Sequence, residues 1–172
     1  MDLLVYAILQ KNRKKGVKMK KYLIIILTGL CAALTLVVKI PIVGTGGYFN
    51  IGDIAVVFTG MFLGGWTGAL AAGIGSAIAD ILAGYYIFAP FTLIAKGLFA
   101  LIAGTLALKH PFWLALGGFC MTLTYFVVGV FLPGAGLQAA VSELPASLLQ
   151  ATLGSIGGFF VYKQVIKALS KK

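Results

Sequence analysis

Residues 52–84 read GDIAVVFTGMFLGGWTGALAAGIGSAIADILAG, and this stretch decides the fold. It holds two apolar runs separated by Gly64 and Gly65, and each run carries one aspartate, Asp53 or Asp80. So many glycines would break a soluble helix, but in a bilayer small residues let helices pack closely. In the second run, two rows of small or polar residues recur at four-residue spacing: Gly68, Ala72, Ser76 and Asp80, and beside them Gly65, Ala69, Gly73 and Ala77. The pattern predicts a membrane helix buried among other helices.

The composition of the whole chain is that of an integral membrane protein. Of its 172 residues, 60% are apolar and 10% are charged, and the mean hydropathy is +1.04. A soluble core of this size could not bury so much apolar surface. A bilayer core roughly 30 Å thick needs about 20 apolar residues per helix, so the chain has room for about six spans in a single domain.

Turn signals divide the apolar sequence into six predicted spans. Pro41 and the glycines of PIVGTGGYFN end the first span, Gly64 and Gly65 separate the next two, and AGYYIFAP, KHP and PGAG separate the others. The predicted spans are Tyr22–Ile40, Ile51–Leu63, Trp66–Leu82, Phe91–Leu108, Phe112–Leu132 and Gln138–Ile166. The second is shorter than a bilayer requires, so it tilts little, stops early or continues into the third. We therefore expect an all-α membrane protein with six transmembrane helices.

Basic residues, which give the chain a formal charge of +10, cluster in three places. These are Lys11, Arg13, Lys14, Lys15, Lys18, Lys20 and Lys21 before the first span, Lys109 beside His110, and Lys163, Lys167, Lys171 and Lys172 at the end. The other links are nearly free of Lys and Arg, which is the positive-inside pattern, so both termini and the Lys109 link are predicted to be cytoplasmic. We expect no nucleic-acid binding, because the basic cluster adjoins a span and lacks interleaved aromatic residues.

The first 18 residues, MDLLVYAILQKNRKKGVK, precede a second start-like sequence, MKKY, at Met19. Their apolar part is too short to span a bilayer, and no small-residue cleavage site follows the first long apolar run. We interpret residues 1–18 as a basic extension, with Met19 a candidate natural start, and residues 19–172 as the membrane domain.

Ionisable groups at membrane depth cost a few kcal/mol, so each one is a functional candidate unless it reaches an interface. Asp53 follows Asn50 at the start of the second span, where it could cap the helix or contact a ligand. Asp80 and Lys96 could form an ion pair, contact a ligand, or do both.

The last span carries a polar stripe, because Glu143, Ser147 and Gln150 share one helix face with Gly154. The aromatic residues near Tyr85 lie on the same outer side, either as an interfacial belt or as a pocket lining. Together these features predict an outward-facing pocket for a small polar, ring-containing molecule. The candidate ligand-binding residues are Asn50, Asp53, Asp80, Tyr85, Lys96, Glu143, Ser147 and Gln150.

The sequence contains no recognised motif for catalysis or for metal binding. The sequence has no HExxH, GxSxG, CxxC or Asp-rich metal pair, and its single histidine falls in a predicted cytoplasmic link. It also lacks a P-loop and the paired interrupted helices of a secondary transporter. We expect a binding protein that is not an enzyme, uses no cofactor or metal, and depends on partners for ATP hydrolysis.

The stretch Phe49–Gly104 resembles the substrate-binding S component of energy-coupling factor (ECF) vitamin transporters, in the subfamily associated with hydroxymethylpyrimidine, pyridoxine-type and riboflavin-type substrates. The resemblance is carried by N-x-G-D at Asn50–Asp53, by Ala-Asp at the end of the third helix, and by A-P-x-T-x-x-x-K-G-L at Ala89–Leu98. These motifs cover about a third of the chain, and size and topology extend the resemblance from Met19 to the end.

The resemblance implies a six-helix, multi-pass protein of a prokaryotic plasma membrane with cytoplasmic termini. It implies a ligand in the outer half, covered by the PIVGTGGYFN loop. It also implies a transmembrane T component, which grips small residues of the first helix, and two ATPase subunits. The family's Ala-x-x-x-Ala motif corresponds here to Gly29-x-x-x-Ala33.

On this basis the sequence predicts a vitamin-capturing S component. Hydroxymethylpyrimidine is the first substrate expected and a B6 vitamer the next, with riboflavin and pantothenate as alternatives. The alternative hypothesis, from another class of function, is that the protein is a membrane scaffold or assembly protein without a small-molecule ligand.

Overall fold

The computed structural model describes residues 17–37, 39–41, 48–131 and 136–170. Within these ranges the helices are α1 (Val17–Val37), α2 (Asp53–Leu63), α3 (Gly65–Leu82), α4 (Ala89–Thr105), α5 (Trp113–Phe131) and α6 (Gly136–Ser170). Two short strands, β1 (Lys39–Pro41) and β2 (Tyr48–Asn50), form an antiparallel hairpin between α1 and α2, with Ile40 opposite Phe49. The described chain is otherwise helical.

Three of the described helices, α3, α5 and α6, are long and apolar enough to cross a membrane, and α1, α2 and α4 supply shorter apolar stretches. The predicted bounds of the first span are wrong at its end, because the helix stops at Val37 and residues 39–41 pair with residues 48–50. The fourth helix also ends early, at Thr105, in a run of turns. Residues 1–16 of the predicted extension lie outside the described residues, as do residues 42–47 of the predicted loop cover.

The second helix stops early, which is one of the three expected outcomes. Gly64 has φ 70° and ψ 153°, a conformation that side chains disfavour, so the chain breaks there before α3 begins. Most residues of α2 are buried, and it packs against α1, α3, α4 and α6. Because protein surrounds it, this short helix does not have to match the thickness of the bilayer.

Glycines bring neighbouring helix backbones into direct contact with α2. A Cβ built on Gly60 would overlap the backbone of Ala100 on α4, and one built on Gly68 of α3 would lie 2.8 Å from the Gly60 Cα. A Cβ on Gly154 of α6 would lie 2.6 Å from the Asp53 Cβ. The prediction that α3 is buried is confirmed, since both of its small-residue rows are buried after Gly65.

The apolar residues are distributed as expected for a protein in lipid. Phe99, Met61 and Met121 are completely buried in the centre of the bundle. Large apolar side chains also cover the outside, where Phe131 is 80% and Trp66 is 73% exposed. Soluble monomers rarely expose apolar surface on this scale, so the outer surface fits a hydrocarbon environment.

Chain direction alternates through the bundle and gives it two distinct ends. We call the end that carries the β1–β2 hairpin the hairpin end; α2 begins there, α3 ends there and α4 begins there. The described acidic residues, Asp53, Asp80 and Glu143, lie toward this end. The exposed residues Lys109 and His110 lie in the turn at the opposite end.

Candidate functional site

A buried ion pair joins α2 to α4. The Lys96 Nζ lies 3.0 Å from the Asp53 Oδ1, and both side chains are 0% exposed. The N-cap residue of α2 is Gly52, and the Asp53 carboxylate contacts side chains, so the interpretation of Asp53 as a simple helix cap is wrong.

The structure thus places a carboxylate from α2 against Lys96. An Asp80–Lys96 ion pair, one of the alternatives that the sequence left open, stays a prediction. Asp80 itself is 0% exposed near the end of α3, and its backbone carbonyl accepts a 2.8 Å hydrogen bond from the Tyr85 N–H.

Gln150 and Asn50 extend the ion pair into a network. The Gln150 Nε2 donates to the Asp53 Oδ2 at 2.7 Å, and its Oε1 accepts from the Asn50 N–H at 2.7 Å. The Asn50 Nδ2 in turn donates to the Thr35 carbonyl at 2.5 Å. Asn50 is 0% exposed and Gln150 is 5% exposed. One buried network thus connects α1, the hairpin, α2, α4 and α6.

The N-x-G-D motif explains how Asp53 reaches this network. The Asn50 Oδ1 accepts a hydrogen bond from the Gly52 N–H, so the side chain closes a turn on its own backbone. A Cβ on Gly52 would lie 2.7 Å from the Thr35 Oγ1, so only glycine fits there. Helix α2 then starts at Asp53, whose carboxylate points between α4 and α6.

The ion pair has hydrogen-bonding capacity left over. Within the described residues, neither the Lys96 Nζ nor the Asp53 Oδ1 has a hydrogen-bond partner in addition to the ionic contact. An ammonium group carries three donors, and buried polar atoms are rarely left without partners. Lys96 can therefore still donate to a further acceptor, and the Asp53 Oδ1 can still accept from a further donor.

Of the eight predicted binding residues, Asn50, Asp53, Lys96 and Gln150 are joined by direct contacts. Tyr85 is half-buried, with its ring edge-on to Phe88 at 6.5 Å between centroids. Glu143 and Ser147 are half-buried on α6, about two turns and one turn closer to the hairpin end than Gln150. Ligand contact by these residues and by Asp80 stays a prediction.

Sequence reasoning missed two threonines of this region. Thr35 contributes its backbone carbonyl to Asn50, which no residue pattern signals. Thr92, inside the A-P-x-T motif, lies one turn before Lys96 and accepts a 3.2 Å hydrogen bond from the Tyr125 hydroxyl. The motif itself was the available signal for Thr92.

The small residues predicted for partner contact lie on an open face of α1. Gly29 and Ala33 are both exposed, and a Cβ built on Gly29 would meet nothing within 4 Å. Bulky exposed residues such as Ile25 and Ile26 flank them. The strip is therefore not used for packing within the described part of the chain.

Two comparisons with known proteins bear on the family. A family model described as "ECF-type riboflavin transporter, S component" matches residues 18–167. A Pyrococcus woesei protein, described as an uncharacterised protein in the gap 3' region, is 37% identical over 130 residues, which cover 72% of this chain and 86% of that relative. The family match includes every residue of the buried network.

Proposed function

We propose that this chain, which belongs to the family of ECF-type riboflavin transporter S components, captures riboflavin or another small water-soluble vitamin at the Asp53–Lys96–Gln150 network. The membrane location and the role in vitamin transport come from the family. The specific substrate is our proposal. Riboflavin comes first because the description of the matching family names it, and hydroxymethylpyrimidine, a B6 vitamer and pantothenate follow.

The observation that carries this proposal is the buried network with unused hydrogen-bonding capacity. A flavin ring offers carbonyl oxygens and ring nitrogens as acceptors and an imide N–H as a donor. Lys96 supplies donors, the Asp53 Oδ1 supplies an acceptor, and the amide of Gln150 supplies both. Such contacts are stronger in a desolvated site than in water, so a few of them can select a polar heterocycle.

We further propose the orientation and the partners of the transport complex. The hairpin end faces outward, and the termini and Lys109 face the cytoplasm, in accordance with the distribution of Lys and Arg. A T component contacts the Gly29–Ala33 strip, and two ATPase subunits supply the energy. Labelling of a cysteine introduced at Lys109 from the outside alone would contradict this orientation.

The test is a binding screen on the full-length protein in detergent. Mass spectrometry identifies any vitamin that co-purifies, and titrations compare riboflavin, hydroxymethylpyrimidine, pyridoxine and pantothenate. We expect riboflavin to bind most tightly and Gln150→Ala to weaken that binding about 5- to 150-fold, since an unmade hydrogen bond in a desolvated site costs about 1–3 kcal/mol.

The matched control is Thr152→Ala, because Thr152 is exposed on the same helix and hydrogen-bonds to the Leu148 carbonyl. This variant should bind like the wild type. Tighter binding of another vitamin would replace the substrate but keep the class of function. Binding of none of them would favour the scaffold hypothesis.

A further inference from the structure

Thr122 of α5 carries a buried hydroxyl group that makes no hydrogen bond to any described residue. The residue is 4% exposed, and its Oγ1 has no hydrogen-bond partner in the ranges that the structure describes. The large majority of buried side-chain polar atoms in proteins have a hydrogen-bond partner. This hydroxyl therefore needs an explanation.

Other threonines of the same protein show which hydrogen bond a threonine hydroxyl can make within its own helix. The side chains of Thr28, Thr105, Thr124 and Thr152 each donate to the carbonyl four residues earlier, at distances from 2.6 to 2.8 Å. Thr124 lies only two residues from Thr122 and bonds to the Cys120 carbonyl. The corresponding carbonyl for Thr122 is that of Gly118, and the Thr122 hydroxyl does not use it.

Contacts on either side of Thr122 show where it lies. It shares a helix face with Gly118, Tyr125 and Gly129. Cβ atoms built on Gly118 and Gly129 would lie 2.9 Å and 3.2 Å from the Cβ atoms of Ala151 and Ala140 on α6, and Tyr125 bonds to Thr92 of α4.

Because α5 runs antiparallel to both neighbours, these contacts fix its register. Thr122 lies at the level of Ser147 on α6, one turn from Gln150. On α4 it lies at the level of Ala95, which precedes Lys96. Three helices therefore bring Thr122, Lys96 and Gln150 to one layer of the bundle.

From this juxtaposition we infer that Thr122 contacts the bound vitamin and helps to determine specificity, its hydroxyl forming a hydrogen bond with a polar atom of the ligand. The inference rests on the proposed function, since it extends the same site to α5, a helix from which the sequence predicted no binding residue. Lys96, Asp53 and Gln150 contact the ligand from α4, α2 and α6, and Thr122 completes the site from α5.

The experiment compares Thr122→Val, Thr122→Ser and Thr124→Val in the full-length protein. Riboflavin and lumichrome, which keeps the ring but lacks the ribityl chain, are titrated by flavin fluorescence, and thermal unfolding is measured without ligand. Valine keeps the shape of threonine but removes the hydroxyl, so Thr122→Val should raise the Kd for riboflavin about 5- to 150-fold. Thr122→Ser should retain most of the affinity, and Thr124→Val should bind like the wild type.

The unfolding measurement separates ligand contact from a structural role. A hydroxyl without a protein partner can be replaced by a methyl group at little cost, so ligand-free Thr122→Val should be no less stable than the wild type. A loss of stability without ligand, together with unchanged affinity, would show that the hydroxyl is structural and would overturn the inference.

The remaining outcomes distinguish this inference from the proposed function. If Gln150→Ala weakens riboflavin binding and Thr122→Val does not, the binding function stands and the role of Thr122 is wrong. If the wild-type protein binds no vitamin, both fail. An equal loss of affinity for riboflavin and lumichrome in Thr122→Val places the contact on the ring, and a loss confined to riboflavin places it on the ribityl chain.

Discussion

Helix α2 makes two very different kinds of contact along its 11 residues. At its first residue, Asp53 meets Lys96 and Gln150 through long side chains that reach across from α4 and α6. About two turns further on, Gly60 meets the backbone of Ala100 and Gly104 on α4 with no side chain between them. The first region is polar and can exchange one partner for another, whereas the second is close-packed and cannot.

The difference shows how the bundle would combine the proposed binding site with rigidity. Glycine contacts hold the backbones of α2, α3 and α4 together away from the hairpin end. The polar side chains near that end therefore keep their relative positions without having to hold the helices together. In the proposed site, a ligand would compete for Lys96 or Asp53 while the glycine contacts stay unchanged.

The largest effect is expected from Lys96→Met, which breaks the polar region. It leaves the Asp53 carboxylate buried without its counter-ion, so the free energy of unfolding should fall by about 3–5 kcal/mol. Denaturant unfolding in detergent micelles measures this. Lys109→Met is the control, because Lys109 is exposed in the turn after α4 and surface substitutions change stability by about 0.5 kcal/mol or less.

A double variant, Asp53→Asn with Lys96→Met, should recover much of the lost stability, because it removes both buried charges. If Lys96→Met alone is as stable as the Lys109→Met control, the substitution does not leave an unpaired buried charge, and the buried ion pair described here is contradicted.

A smaller effect is expected from Gly60→Ala, which tests the close-packed region. The added methyl group would overlap the Ala100 backbone, and overpacking of this kind costs about 1–3 kcal/mol. Gly29→Ala is the matched control, since its Cβ would meet nothing within 4 Å. Equal thermal stability of the two variants would contradict the packing described here.

The smallest effect on the isolated protein is expected from replacing both Gly29 and Ala33 with Leu. These side chains lie on the exposed face of α1, so stability should change by about 0.5 kcal/mol or less, and vitamin binding should not change. Co-purification of the T component and uptake in cells should be lost, because the new side chains fill the groove. Weakened binding by the isolated variant would mean that the strip packs internally.

The sequence predicted four members of the polar network, but not the contacts that join them. Asn50, Asp53, Lys96 and Gln150 could be selected because polar groups at membrane depth are costly and need partners. Whether Asp53 lies beside Lys96 depends on how far each helix is displaced along its neighbour. That displacement follows from backbone contacts such as Gly154 against Asp53, which spacing along the chain does not reveal.

Other features of the protein could not be predicted from local sequence patterns. The first helix ends at Val37 because residues 39–41 pair with residues 48–50, and this pairing overrides an apolar run that favours helix to Ile40. A single hydroxyl in an apolar helix, such as that of Thr122, produces no periodic signal. The sequence motifs do not identify the substrate either, because they are shared by a subfamily associated with several vitamins. Riboflavin is proposed because the description of the matching family names it.

The buried position of Asp53 also constrains the order of biosynthesis. The residue that donates to its Oδ2, Gln150, lies 97 residues further along the chain, and Lys96 too is translated after α2 has left the ribosome. Until both have entered the membrane, the Asp53 carboxylate has neither this counter-ion nor this hydrogen-bond donor, and an unpaired charge in hydrocarbon is costly. We therefore expect α2 to reach its buried position only after α4 and α6 have been inserted, so that the sixth described helix completes the burial of the second.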